Sequence, residues 1–176
     1  MTAVKAADVD RVLKAPPAGT NLLLFYGPDT GLVFERARGA ATGAVVDPDD
    51  PFQLIRLDGD AVADEPGKLV EEASTYGLFG GRRAVWVRAT TRNLASAVAA
   101  YLDVAGGDTL VVVEAGNLPR TAPLRQLCEK ARNALALPCF GDEGRDLAAI
   151  VTDELRSHGL AIAADARSAR LLELKP

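Results

Sequence analysis

The sequence predicts an α/β domain in which a central parallel five-stranded sheet carries helices on both faces, followed by part of a small helical domain. Three observations support this. Five short apolar runs alternate with segments of helical periodicity. Three of those runs are nearly continuous in apolar residues, the pattern of strands covered on both sides. After Phe140 the strand-like runs stop, and only helical patterns follow.

In chain order, residues 8–14 form a short leading helix, stopped by Pro16-Pro17, which make a rigid turn. The first strand is Leu22-Leu23-Leu24-Phe25. A helix over 32–41 places Leu32, Val33 and Ala37 on one face. The second strand spans 52–57, from Phe52 to Leu57. A helix over 68–76 turns Leu69, Val70 and Ala73 inward and Glu71 and Glu72 outward. Strands over 84–87, 109–113 and 134–137 alternate with helices over 93–104 and 121–133. Those helices carry Leu94, Val98 and Tyr101, then Leu124, Leu127, Cys128 and Ala131, at helical spacing. Gly141-Asp142-Glu143-Gly144 marks the boundary between residues 1–141 and a helical portion, 142–176. That portion offers helices over 146–157 and 164–174, with Gly159 as a stop for the first and Asp165 near the start of the second. Two amphipathic helices cannot bury both apolar faces alone, so they either pack on the sheet domain or the natural protein continues, and continuation is the expectation.

Composition narrows the function classes. Of 176 residues, 48% are hydrophobic and 25% charged, which suits a packed core rather than disorder. No apolar run approaches the ~20 residues that cross a bilayer. The start mixes Lys5, Asp8, Asp10 and Arg11 with apolar residues, unlike a signal peptide, so a cytoplasmic protein without membrane contact is expected. The net charge of −4 argues against DNA binding along the whole surface, because phosphate contacts need lysine and arginine. DNA is therefore expected to be met only indirectly. Cys128, Cys139 and His158 are the only thiols and imidazole, without metal-ligand spacing, so no metal site is predicted. His158, in Arg156-Ser157-His158-Gly159, suits a helix carboxyl end.

The first strand runs into Gly27-Pro28-Asp29-Thr30-Gly31, where nucleotide folds hold phosphate. A working loop reads GxxxxGK[ST]; here Leu32 and Val33 follow Gly31, so the lysine and the hydroxyl are missing. Asp29 adds negative charge where phosphate charge must be neutralised. The spacing of Gly27 and Gly31 also misses the dinucleotide fingerprint. The run Leu110-Val111-Val112-Val113-Glu114-Ala115 supplies one carboxylate where magnesium-binding strands end in acid, and Glu114 is read as an exposed strand-end charge. This is the shape of a P-loop NTPase-like fold without its chemistry. No cofactor and no catalytic residue are assigned.

Several segments together resemble the delta subunit of the bacterial DNA polymerase III clamp loader, in its amino-terminal portion. They are Leu22-Leu23-Leu24-Phe25-Tyr26-Gly27-Pro28-Asp29, Tyr76-Gly77-Leu78-Phe79-Gly80-Gly81-Arg82-Arg83-Ala84-Val85-Trp86-Val87, and Asp108-Thr109-Leu110-Val111-Val112-Val113-Glu114-Ala115-Gly116-Asn117-Leu118, then Leu124 to Leu127. The resemblance implies an AAA+-type three-layer domain with a degenerate phosphate loop and a partial helical lid domain; the family's collar domain is absent. It implies a role in DNA replication within the polymerase III holoenzyme, a DNA-directed DNA polymerase (a nucleotidyltransferase), with no catalysis by this chain. The implied partners are the sliding clamp (beta subunit) and, through the collar, other loader subunits. The clamp-binding pair is Leu78-Phe79, inserted into an apolar pocket of the clamp.

The residues themselves also support that pair. Glycines on both sides, Gly77 and Gly80-Gly81, favour a chain reversal carrying two large apolar side chains. An inward-folded pair capping the sheet is the alternative. Arg82 and Arg83 are either contacts to acidic groups on the clamp rim or a solvated start to the next strand. Arg120 and Arg125 are single arginines among many and receive no role. Two other functions compete. One is a divergent NTPase using the 27–31 loop and Glu114. The other is a structural loader subunit, whose zinc-binding cysteines and Ser-Arg-Cys motif this chain lacks.

Overall fold

The computed structural model describes residues 4–75, 82–88 and 91–140. The chain divides into Met1–Phe140 and Gly141–Pro176. The predicted helices over 146–157 and 164–174, with His158, lie outside the described residues.

Five parallel strands form one sheet: β1 (Leu22–Tyr26), β2 (Leu54–Leu57), β3 (Arg83–Val87), β4 (Thr109–Ala115) and β5 (Ala134–Pro138), in the order β2-β3-β4-β1-β5. β1 lies between β4 and β5, with Phe25 opposite Glu114 and Leu137. Every residue of β1 and of β3 is buried, which explains their unbroken apolar runs. Alternation splits β1 between two cores. Leu22, Leu24 and Tyr26 join Val85, Val111 and Val113 on one face, under α3 (Gly59–Asp64), α4 (Gly67–Ser74), α5 (Ala95–Val104) and α6 (Pro123–Lys130). Leu23 and Phe25 join Trp86 and Val112 on the other, under α1 (Val9–Lys14) and α2 (Thr30–Gly43). The result is a three-layer α/β/α domain.

Four local differences from the sequence expectation have physical causes. The short helix α3 is new; the Asp58 carboxylate starts it by accepting from the amides of Asp60 and Ala61. β2 begins at Leu54, and Phe52 stands in the preceding turn, 72% exposed. That turn is set by Asp50 and by Gln53, whose side-chain oxygen accepts from the amides of Val46 and Asp47. α6 stops at Lys130, because the carbonyl of Asn133 accepts from the amides of Asn21 and Leu22 and so leads into β5. Glu114 is buried, as described below.

The strand order reverses direction between β1 and β4. The chain leaves β1 towards β2 on one side, whereas α6 carries it from β4 across β1 to β5 on the other. Open parallel sheets bind ligands at such a switch point, outside the carboxyl ends of the strands. Gly27 and Glu114 both flank this crevice.

Candidate functional site

At the crevice, the first loop is closed by its own residues. Asp29 is the N-cap of α2, and its carboxylate accepts from the amide of Leu32 at 2.9 Å. A carboxylate therefore already sits on the helix amino end, where the dipole and free amides would otherwise favour a phosphate. Gly27 is required by close backbone approach. A Cβ there would lie 1.8 Å from the carbonyl oxygen of Cys139. The amide of Gly27 donates to the carbonyl of Gly116, and the amide of Cys139 donates to the carbonyl of Tyr26. Neither Gly27 nor Gly31 has positive φ, so the loop lacks the left-handed step of an anion-binding nest.

Glu114 corrects the sequence expectation of an exposed charge. It is 4% exposed and accepts from the indole nitrogen of Trp86 at 2.6 Å. Trp86 comes from the neighbouring strand, and Phe34 of α2 packs on its ring with centroids 5.7 Å apart. Where a nucleotide enzyme would place a magnesium-holding acid, this chain has a buried carboxylate that accepts from the indole of the neighbouring strand.

On the other face, Arg125 lies over the ring of Tyr26, 4.7 Å from its centroid. Its guanidinium also donates to Glu129 at 2.8 Å and to the carbonyl of Leu118 at 3.1 Å. Burial raises the Tyr26 hydroxyl above its ordinary value, while the nearby Arg125 charge pulls the other way. Arg125 is thus engaged within its own domain, whereas Arg120 is exposed. Cys139 is buried beside the loop, and burial raises its thiol despite a contact from Arg36.

The amino end of the sheet differs. Leu78 and Phe79 lie outside the described residues. Of the two arginines considered as partner contacts, Arg82 is exposed but Arg83 is turned inward. Only 7% of Arg83 is exposed. Its guanidinium donates to the carbonyls of Phe52 at 2.9 Å, Glu72 at 3.2 Å, and Thr75. Arg83 therefore does not offer its charge to a partner; it holds the carboxyl end of α4 and the Phe52 turn. An open cavity of about 600 Å³ lies at this same end of the sheet, lined in part by Pro17, Asn21, Arg36, Gly43, Arg82 and Thr109.

Sequence reasoning missed two residues at these sites, Trp86 and the buried role of Arg83. The Asp29 cap was recoverable, since an aspartate just before a helical pattern is a standard start signal.

No protein-family model and no curated protein matches this sequence. Solved structures do. The Bacillus subtilis DNA clamp loader delta protein superposes with a TM-score of 0.66 at 20% identity, over 93% of this chain. A DNA polymerase III gamma subunit-related protein from Thermotoga maritima gives a TM-score of 0.54 at 13% identity, over 85% of this chain. The chain spans 50% of the length of each. Its fold is that of these proteins, a five-stranded parallel α/β domain with helices on both faces.

Proposed function

We propose that this chain acts in DNA replication as a clamp-loader delta-type subunit, binding and opening the sliding clamp without hydrolysing nucleotide. The observation that carries this is the likeness to a DNA clamp loader delta protein along 93% of the chain. The closed first loop favours a mechanical rather than a catalytic role. Asp29 covers the helix amino end and Trp86 engages Glu114, so neither group is placed to hold magnesium triphosphate.

In this reading the Leu78-Phe79 pair enters an apolar pocket on the clamp and captures an opened state of one clamp interface. Burying two such side chains contributes roughly 3–6 kcal/mol before the costs of association. Residues 1–141 form the clamp-binding domain and 142–176 part of a helical second domain. Polymerisation, the transferase activity of the holoenzyme, belongs to other subunits, and the chain works in the cytoplasm beside them. Control comes from nucleotide binding in neighbouring subunits, which decides whether the clamp-binding surface is free.

The test is equilibrium binding of the cognate sliding clamp to the wild-type chain and to the double variant Leu78→Ala with Phe79→Ala. The double variant is expected to lose detectable binding while unfolding at the wild-type temperature. Equal affinity of the two proteins would refute the role of the pair. Calorimetric titration with magnesium ATP tests the competing NTPase function; a micromolar dissociation constant would favour that enzyme instead.

A further inference from the structure

The most exposed large apolar side chains among the described residues, Val46 at 88% and Phe52 at 72%, stand on one turn, residues 46–52, between α2 and β2. That turn is held from inside. The Gln53 side-chain oxygen accepts from the amides of Val46 and Asp47, each at 3.1 Å, and its amide nitrogen donates to Asp50 at 3.0 Å. The Asp50 carboxylate also accepts from the amide of Phe52 at 2.8 Å, and Asp47 accepts from the amide of Asp49 at 3.0 Å. The carbonyl of Phe52 is taken by Arg83 at 2.9 Å. The backbone of the turn is therefore fixed while Val46 and Phe52 face water. Turns ordinarily carry polar or small residues. A rigid turn that holds valine and phenylalanine outward marks an interaction surface. Its preset shape also leaves little freedom to lose at association.

Charge and position select the partner. Asp47 and Asp49 are exposed on the same turn and, with Asp50, outweigh Arg56, which donates to the carbonyl of Pro48 at 3.3 Å. Such a surface fits an apolar depression bordered by lysine or arginine. The turn leads into β2, an edge strand, so it stands at an open side of the sheet. Arg83 joins the carbonyl of Phe52 to those of Glu72 and Thr75, which places the turn beside the carboxyl end of α4. We propose that the 46–52 turn is a docking contact for the sliding clamp, in which Val46 and Phe52 enter an apolar depression with a basic border. This rests on the clamp-binding function proposed above and adds a contact that function does not itself include.

The test measures equilibrium binding of the cognate clamp to the full chain and to two double variants, at low and high salt. Both apolar side chains are exposed, so Val46→Ser with Phe52→Ser should unfold at the wild-type temperature. It is expected to bind the clamp about tenfold or more weakly. Asp47→Asn with Asp49→Asn keeps the side-chain oxygen that the amide of Asp49 uses, and so keeps the turn. It should lose affinity at low salt only, where charges are least screened. Amide exchange provides a readout without substitution, since residues 46–52 of the wild-type chain should gain protection when the clamp is added. Wild-type affinity in the serine variant, or unchanged exchange over 46–52, would overturn the proposal. Unchanged low-salt affinity in the asparagine variant would overturn the basic border. A wild-type chain that binds the clamp, with a serine variant that binds equally, removes this contact and leaves the proposed function standing. Failure of the wild-type chain to bind the clamp removes both.

Discussion

The two ends of this parallel sheet are built on opposite principles. At the carboxyl end, where such sheets bind nucleotides, groups that could meet a ligand meet each other. Asp29 caps α2, Gly27 lies against the Cys139 carbonyl, and the Trp86 indole donates to Glu114. At the amino end, Phe52 and Val46 stand 72% and 88% exposed, and an open cavity lies nearby. There a buried arginine organises backbone rather than a second charge. The carboxyl end is satisfied inwardly apart from the exposed rings of Phe34 and Phe140, whereas the amino end leaves Phe52 and Val46 outward, the side that the docking function proposed above would use.

The comparison can be broken most severely at Gly27. Gly27→Ala puts a Cβ 1.8 Å from the Cys139 carbonyl oxygen, so β1 and the end of β5 must separate. A stability loss of roughly 3 kcal/mol or more is expected in denaturant unfolding. A near-neutral result would show that the carboxyl end is not closed by backbone contact. Next in size, Trp86→Phe takes the indole donor from a buried carboxylate. That should cost about 2 kcal/mol, read from the same unfolding curves.

Alkaline pH probes the cores that hold both ends in place. Burial pushes the Tyr101 hydroxyl up from 10.0 to about 12 and the Cys128 thiol up from 9.0 to about 12. The native state therefore prefers both groups protonated, and their contribution is fully present below pH 9. It declines as pH rises from 9 towards 12, where the unfolded chain releases those protons first. The melting temperature should fall across that window, and Cys128→Ala with Tyr101→Phe should flatten the fall. The smallest effect is expected for Asp29→Ala, which removes a helix cap worth about 1 kcal/mol. Calorimetry of this variant should still show no binding of magnesium ATP, because the missing lysine and the engaged Glu114 are unchanged.

Much of the fold was legible because burial on both faces leaves an unmistakable run of apolar residues, as in Leu22 to Phe25 and Ala84 to Val87. α3 was missed because six residues carry too little periodicity, although Asp58 was a readable start signal. Phe52 was drawn into β2 by its hydrophobicity, since the polar turn that exposes it depends on Asp50 and Gln53 side chains. At the site, the absent lysine and the hostile charge of Asp29 were visible in the loop itself. Glu114 and Arg83 were not, because their surroundings come from far along the chain. The indole that engages Glu114 lies 28 residues earlier, and Arg83 reaches a carbonyl 31 residues earlier. Such long-range pairing leaves no local signal in a single sequence.

Amide exchange mapping of the full chain with and without the cognate sliding clamp tests the contrast between the two ends most directly. Protection is expected to appear at residues 75–82, at the amino end of the sheet, with residues 27–31 and 114–118 unchanged. Protection confined to 27–31 and 114–118, with 75–82 exchanging as in the free chain, would contradict the account.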